Sequence, residues 1–235
     1  RDDEIKSQAD QHSEKISSLE AELNNLNALY YLGLIYSKGI GVEQNYLKAF
    51  EYYMKSSHLN NSNALFSLGN LYEEGLGVSK NYLKAIEYYE KSAKLNNSKA
   101  NYNLGHIYFS GKGIEQNYLK AFEYFEKSAK FNNSDALFNL GNMYLRGLGF
   151  EPDYSKSFEY FKKSAQLNNS DALVMLGCFY IEGYGVKKDY FKAAYYYEKS
   201  AQLNNSLALV NLGHIYSNGI EVKPNYVKAI DYYER

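Results

Sequence analysis

Tryptophan is absent from the chain, proline occurs twice and cysteine once. Each scarcity excludes something. The single thiol, Cys178, excludes an internal disulfide framework and any cluster of several cysteines around a metal. Two prolines in 235 residues leave long stretches free to form uninterrupted helices. No apolar run approaches the roughly 18–20 residues that a membrane span needs, so direct insertion into a bilayer is not expected. An excess of one charge sign is missing too: 26 basic and 27 acidic side chains leave a formal net charge of -1. That balance argues against nucleic acid as a partner, since phosphate binding calls for a basic stripe. It also gives little attraction to anionic lipid. No signal sequence is visible at the polar start, Arg1-Asp2-Asp3-Glu4. The compartment stays open on these grounds; the cytoplasm is favoured over a secretory lumen or secretion.

What is present is tyrosine, 27 residues of it, in a chain that is 45% apolar and so able to build a core. The tyrosines recur because the whole chain recurs. Leu-Gly stands at Leu32-Gly33, Leu68-Gly69, Leu104-Gly105, Leu140-Gly141, Leu176-Gly177 and Leu212-Gly213, always 36 residues apart. Each is preceded by an Ala (Ala28 and its equivalents) and followed by a Tyr (Tyr36 and its equivalents). A fixed period of this length is the mark of a solenoid, in which each unit buries its apolar face only against its neighbours.

Each unit reads as two helices. Ala64, Leu68, Leu71 and Tyr72 fall on one helical face, and Gly75-Leu76-Gly77 breaks the helix. Asn81 is an N-cap for a second helix from Tyr82 to about Leu95, lined by Ala85, Tyr88, Tyr89 and Ser92. Asn45, Asn117, Asp153, Asp189 and Asn225 are the equivalent caps. Asn96-Asn97-Ser98 closes the unit, with Asn in the left-handed conformation and Ser98 as cap of the next helix. Gly69 and Ala85 are small because the two helices approach closely there.

These residues resemble the Sel-1-like repeat, a relative of the tetratricopeptide repeat. The resemblance is carried by Ala64, Leu68-Gly69, Tyr72, Gly75-Leu76-Gly77-Val78, Asn81, Lys84-Ala85, Tyr88-Tyr89 and Lys91-Ser92-Ala93, in register six times. A tetratricopeptide array repeats every 34 residues or so and lacks the longer Gly-x-Gly loop. Departures are the missing Trp, Asn-Asn-Ser in place of an inter-repeat Gly, Ser157 for Ala, and Glu221 for the second loop Gly. The resemblance implies an all-α fold: a right-handed superhelical solenoid of six helix-turn-helix repeats. It also implies roles such as those of family members in degradation of proteins from the endoplasmic reticulum, in signalling complexes, or as secreted and host-contact factors of bacteria.

The expected domains are residues 1–26 and the array 27–235, with repeats near 27–62, 63–98, 99–134, 135–170, 171–206 and 207–235, the last truncated. In the first segment Ile5, Ala9, His12, Ile16, Leu19, Leu23 and Leu26 make a heptad-like seam. It suits an amphipathic helix capping the first repeat, or a coiled coil. An open apolar end near Arg235 suits either further sequence or a second copy of the chain.

Nothing in the pattern points to catalysis, a cofactor or a metal. His106 and His214 share a repeat position but lie three repeats apart. The Gly-x-Gly loops recur as hairpin loops and lack the third Gly of a dinucleotide fingerprint. Cys178 has no base nearby in sequence and reads as a space-filler. Five Asn-x-Ser sequons at Asn60, Asn96, Asn132, Asn168 and Asn204 coincide with the turn every repeat needs, so turn chemistry outweighs a glycan signal.

Function is therefore sought in what varies on the first helices, which line the concave side in tetratricopeptide arrays. The candidate partner-binding residues are Phe66, Asn70, Tyr102, Asn103, His106, Phe138, Asn139, Asn142, Arg146, Asn211 and His214. Amide side chains grip a peptide backbone without regard to sequence, the aromatics add apolar contact, and Arg146 suits a carboxylate. The expected role is a non-catalytic scaffold or adaptor for a partner protein or peptide. The alternatives are a regulatory or substrate-recruiting arm of a larger kinase or ubiquitin-ligase complex, and a structural array that self-associates through the N-terminal helix or the open C-terminal end.

Overall fold

A computed structural model of the chain describes residues 25–219 and 224–235. The helix expected over residues 1–26 falls outside them but for its last two residues, as does Glu221. Among the described residues there are twelve helices and no strand. The first-position helices are α1 (Leu26–Lys38), α3 (Ser62–Glu74), α5 (Ser98–Ser110), α7 (Ser134–Arg146), α9 (Ser170–Glu182) and α11 (Ser206–Asn218). They alternate with α2 (Tyr46–His58), α4 (Tyr82–Lys94), α6 (Tyr118–Ala129), α8 (Tyr154–Gln166), α10 (Tyr190–Gln202) and α12 (Tyr226–Glu234). The helices form two compact units, divided between Asn117 and Tyr118. In the first, hairpins α1/α2 and α3/α4 stack in order and α5 follows. In the second, α6 leads into hairpins α7/α8, α9/α10 and α11/α12.

Helix boundaries follow from the turn chemistry. First-position helices stop at a left-handed Gly, such as Gly75 at φ +76°, whose N–H donates to the Leu71 carbonyl at 2.9 Å. Second-position helices start where a short polar side chain accepts an orphan amide. Asn45, Asn81, Asp153, Asp189 and Asn225 each accept from the N–H three residues on. The Asn-Asn-Ser turn divides its labour differently from the expectation. Asn60, Asn96, Asn132, Asn168 and Asn204 are left-handed, with φ between 57° and 62°. The cap is the middle Asn rather than the Ser: Asn97 Oδ1 accepts from Ala100 N at 3.1 Å, and Ser98 is already helical.

Packing explains the small residues. A Cβ on Gly69 would stand 2.4 Å from Tyr89 Cε1, and on Gly141 2.7 Å from Phe161 Cδ1. The second aromatic, Tyr53, Tyr89, Phe161, Tyr197 or Tyr233, thus packs directly against the glycine of the partner helix. Ser92 is fully buried, and its hydroxyl donates to the Ser62 carbonyl at 2.7 Å. Ser56, Ser164 and Ser200 repeat that clamp. Ser157, which replaces Ala, donates to the Gly141 carbonyl at 2.8 Å. Tyr72 and Tyr88 stack at 5.6 Å, with Lys84 over one ring and Lys91 over the other. The same tyrosine stack recurs at Tyr36–Tyr52, Tyr144–Tyr160, Tyr180–Tyr196 and Tyr216–Tyr232. Successive repeats join at the loop: Gly77, at φ +70°, sits so close to the start of α2 that its Cβ would meet the Tyr46 backbone at 2.7 Å.

Candidate functional site

The first-position helices present the varied residues, and the second-position ring beneath decides how many of those are free. In the first unit, Tyr89 is fully buried, and burial together with the negative Glu73 pushes its hydroxyl pKa well up. Its Oη lies 2.6 Å from Asn70 Oδ1 and 2.7 Å from Glu73 Oε2. Asn103 Nδ2 reaches the same Asn70 oxygen at 3.3 Å, and Lys112 stands 3.7 Å from Glu73. Two candidate amides, Asn70 and Asn103, are therefore engaged in the chain's own network. Phe66 packs on Tyr89 with ring centroids 5.7 Å apart, Tyr102 is half-buried, and His106 is exposed.

In the second unit, the ring under α7 is Phe161, which has no hydroxyl. Asn139, Asn142 and Arg146 make no hydrogen bond or ion pair among the described residues; the two amides are half-buried and Arg146 is exposed. Phe138 packs against Phe161 at 5.6 Å, which fixes the wall beside them. Further along, the rings are tyrosines again. Tyr197, its pKa raised by burial and by its sulfur partner, donates to Cys178 Sγ at 3.4 Å. Tyr233 Oη lies 3.3 Å from His214 Nδ1. A cleft of about 220 Å³ opens here, floored by Ile181 and Ile215 and edged by Asn211, His214, Cys178 and Glu182. Val174, which holds the position of Phe66 and Phe138, is buried in the core and offers nothing to a partner.

The sequence placed all eleven candidates on first-position helices, as the structure does. It did not reveal the tethering of Asn70, Asn103 and His214 by rings 19 residues away or by a neighbouring repeat. The residue above the ring carries no signal for it, being polar over Phe161 (Asn142) as over Tyr89 (Asn70) and apolar over Tyr53 (Leu34), whose hydroxyl pairs with Ser37 instead; only the choice of Tyr or Phe in the second aromatic separates Asn70 from Asn142. Among the described residues no three His, Cys, Asp or Glu side chains converge, and no helix is long and apolar enough to cross a membrane.

Helical hairpins, recurring every 36 residues and stacked in sequence order within each unit, define a helical repeat protein related to the tetratricopeptide class. The family model for the Sel1 repeat matches residues 26–61, 62–97, 98–130, 134–169, 170–205 and 206–235, and the chain belongs to that family. Among solved structures it is similar to a protective antigen of uropathogenic Escherichia coli displaying an SLR fold, at 32% identity and a TM-score of 0.85. That match covers 91% of this chain and 46% of the E. coli protein, so the chain spans about half the length of that relative. A Sel1 repeat protein from Oxalobacter formigenes is similar at 31% identity and a TM-score of 0.83, over 90% of this chain and 86% of its own. An immunity protein of Pseudomonas aeruginosa shares the fold at 22% identity and a TM-score of 0.54, over 90% and 81%. No curated protein sequence matches the chain significantly.

Proposed function

We propose that the chain is a non-catalytic scaffold that holds a partner polypeptide against the first-position helices, chiefly those of the second unit. Sel1 repeats generally mediate protein–protein interaction. The observation that carries the finer reading is the set of unengaged side chains on α7: Asn139 and Asn142 as amide donors and acceptors, Arg146 as a bidentate cation, and Phe138 as a fixed apolar wall. A polypeptide laid there would exchange backbone hydrogen bonds with the amides. It would place an acidic group or carboxyl terminus at Arg146. The cleft at Asn211 and His214 would take an apolar side chain onto Ile181 and Ile215.

The test is affinity capture of partners from an extract of the source cells by the full chain, quantified by mass spectrometry. The Asn139→Ala/Asn142→Ala double variant should lose most of the captured partner, about tenfold, with its melting temperature within about 2 °C of the parent, because half-exposed amides contribute little to stability. Unchanged capture refutes the site. Asn70→Ala, which strips an acceptor from buried Tyr89, should instead lower stability.

A further inference from the structure

A second surface lies on the side of the second-position helices. In the first unit, the junction of α2 and α4 encloses a cleft of about 360 Å³. Its floor is Leu65, and Leu95, 42% exposed, forms a wall. Tyr88 closes the other side, its hydroxyl already donating to the Met54 thioether Sδ at 3.3 Å; Ser57 and Asn60 add polar edges to this mainly apolar interior. The rim is cationic. Lys91 pairs only with exposed Glu87, at 2.7 Å, where solvent screens the bond. His58 and Lys94 have no ion-pair partner among the described residues, and no carboxylate lines the cleft. Cations in a last helical turn complement the helix dipole, but that does not account for the greasy cavity they surround.

The chain supplies its own comparison. Two repeats later, in the second unit, the equivalent cleft holds about 300 Å³. There Glu126 replaces Met54 and accepts the hydrogen bond of Tyr160, Lys130 replaces His58, Lys163 keeps the place of Lys91, and Gln166 replaces Lys94. The shape is kept, and the added carboxylate of Glu126 offsets one of the two ammonium groups, Lys130 and Lys163, on the rim.

We propose that the α2/α4 cleft is a docking site for an acidic peptide segment carrying a leucine or phenylalanine. The apolar side chain enters over Leu65 and Leu95, flanking carboxylates meet Lys91 and Lys94, and the His58 imidazole stands beside them as a hydrogen-bonding group. The equivalent cleft of the second unit binds this ligand more weakly, because Glu126 inside it opposes the carboxylates that Lys130 and Lys163 attract. Apolar pockets with a few placed polar groups fix both affinity and orientation, and rim charges set the salt dependence.

The probe is a fluorescein-labelled twelve-residue peptide of alternating aspartate and leucine, followed by anisotropy against the full chain at low salt. Saturable binding is expected, weakened at least tenfold by Lys91→Glu/Lys94→Glu and by Met54→Glu, and unchanged by Lys163→Glu in the second unit. A peptide with lysine for aspartate should bind the Lys91→Glu/Lys94→Glu variant and not the parent. Circular dichroism confirms that each exposed-site variant is folded. Absence of saturable binding, or equal binding by the parent and the charge-reversed variant, overturns the proposal. Asn139→Ala/Asn142→Ala should leave this binding intact, so the two surfaces fail or stand separately.

Discussion

Replacing Gly69 by Ala tests the packing logic most sharply, because propensity and packing predict opposite signs. Ala is favoured over Gly inside a helix by about 1 kcal/mol, so α3 considered alone should gain stability. In the folded repeat the new Cβ would stand 2.4 Å from Tyr89 Cε1 and 2.5 Å from Cδ1. Carbon atoms settle at roughly 3.5–4.0 Å, so the ring must retreat by about 1 Å. It has nowhere easy to go: Tyr89 is fully buried, Phe66 packs on it, and its hydroxyl is held by Asn70 and Glu73. Overpacking of this kind costs about 1–3 kcal/mol, and a lost buried hydrogen bond about 1 kcal/mol more. The net expectation is a destabilisation of about 1–3 kcal/mol. At about 2–4 °C per kcal/mol for a chain of this size, the melting temperature should fall by roughly 2–12 °C. Urea unfolding followed by far-ultraviolet circular dichroism measures the first quantity, and a thermal scan the second. The pair Gly69→Ala/Tyr89→Leu should cost less than the sum of its single changes by about 1 kcal/mol, since the smaller side chain yields the space. A Gly69→Ala protein as stable as the parent, or more so, refutes the account of why this glycine is there.

Three further outcomes follow from the same framework. Ser92→Ala removes the donor to the Ser62 carbonyl inside the hairpin and should cost about 1–3 kcal/mol in urea unfolding, while Ser92→Thr should restore part of it if the added methyl is accommodated. Asn96→Gly should leave stability nearly unchanged and Asn96→Ala should cost about 1 kcal/mol, because φ is 62° at this position; equal effects would remove the left-handed turn as the reason for Asn. Alkali should melt the array. Burial, reinforced by Glu73 at Tyr89 and by the bond to Glu126 at Tyr160, raises these hydroxyls above the ordinary value of 10.0. Below that value neither state ionises and stability is intact; above it the unfolded chain loses protons that the folded one keeps, so stability falls as pH rises. Unfolding midpoints between pH 8 and 11.5 check the sign, and Tyr89→Phe should flatten the decline.

The periodic part of the fold was legible because each repeated residue has a local reason. Leu-Gly at a 36-residue spacing, a left-handed Gly after the first helix and Asn or Asp before the second all act within a few residues of where they stand. Asn96-Asn97-Ser98 shows the limit of local reading. Both Asn and Ser are good caps, and only the backbone geometry assigns the role to Asn97. The candidate face was less legible, since what an exposed amide does depends on a residue across the hairpin. Asn70 and Asn142 hold the same repeat position and look alike in sequence, yet one is held by Tyr89 and the other stands over Phe161. The α2/α4 cleft was invisible for a related reason: its charge depends on Met54, His58, Lys91 and Lys94, which no single helix brings together.

The exchange between Tyr and Phe beneath the first-position helices lets an inaccessible atom edit an accessible surface. One phenolic oxygen, added or deleted under the wall, captures or releases the side chain above it without changing any residue a visitor would touch. An array built this way can be retuned from below, one storey at a time, while its outward composition stays the same.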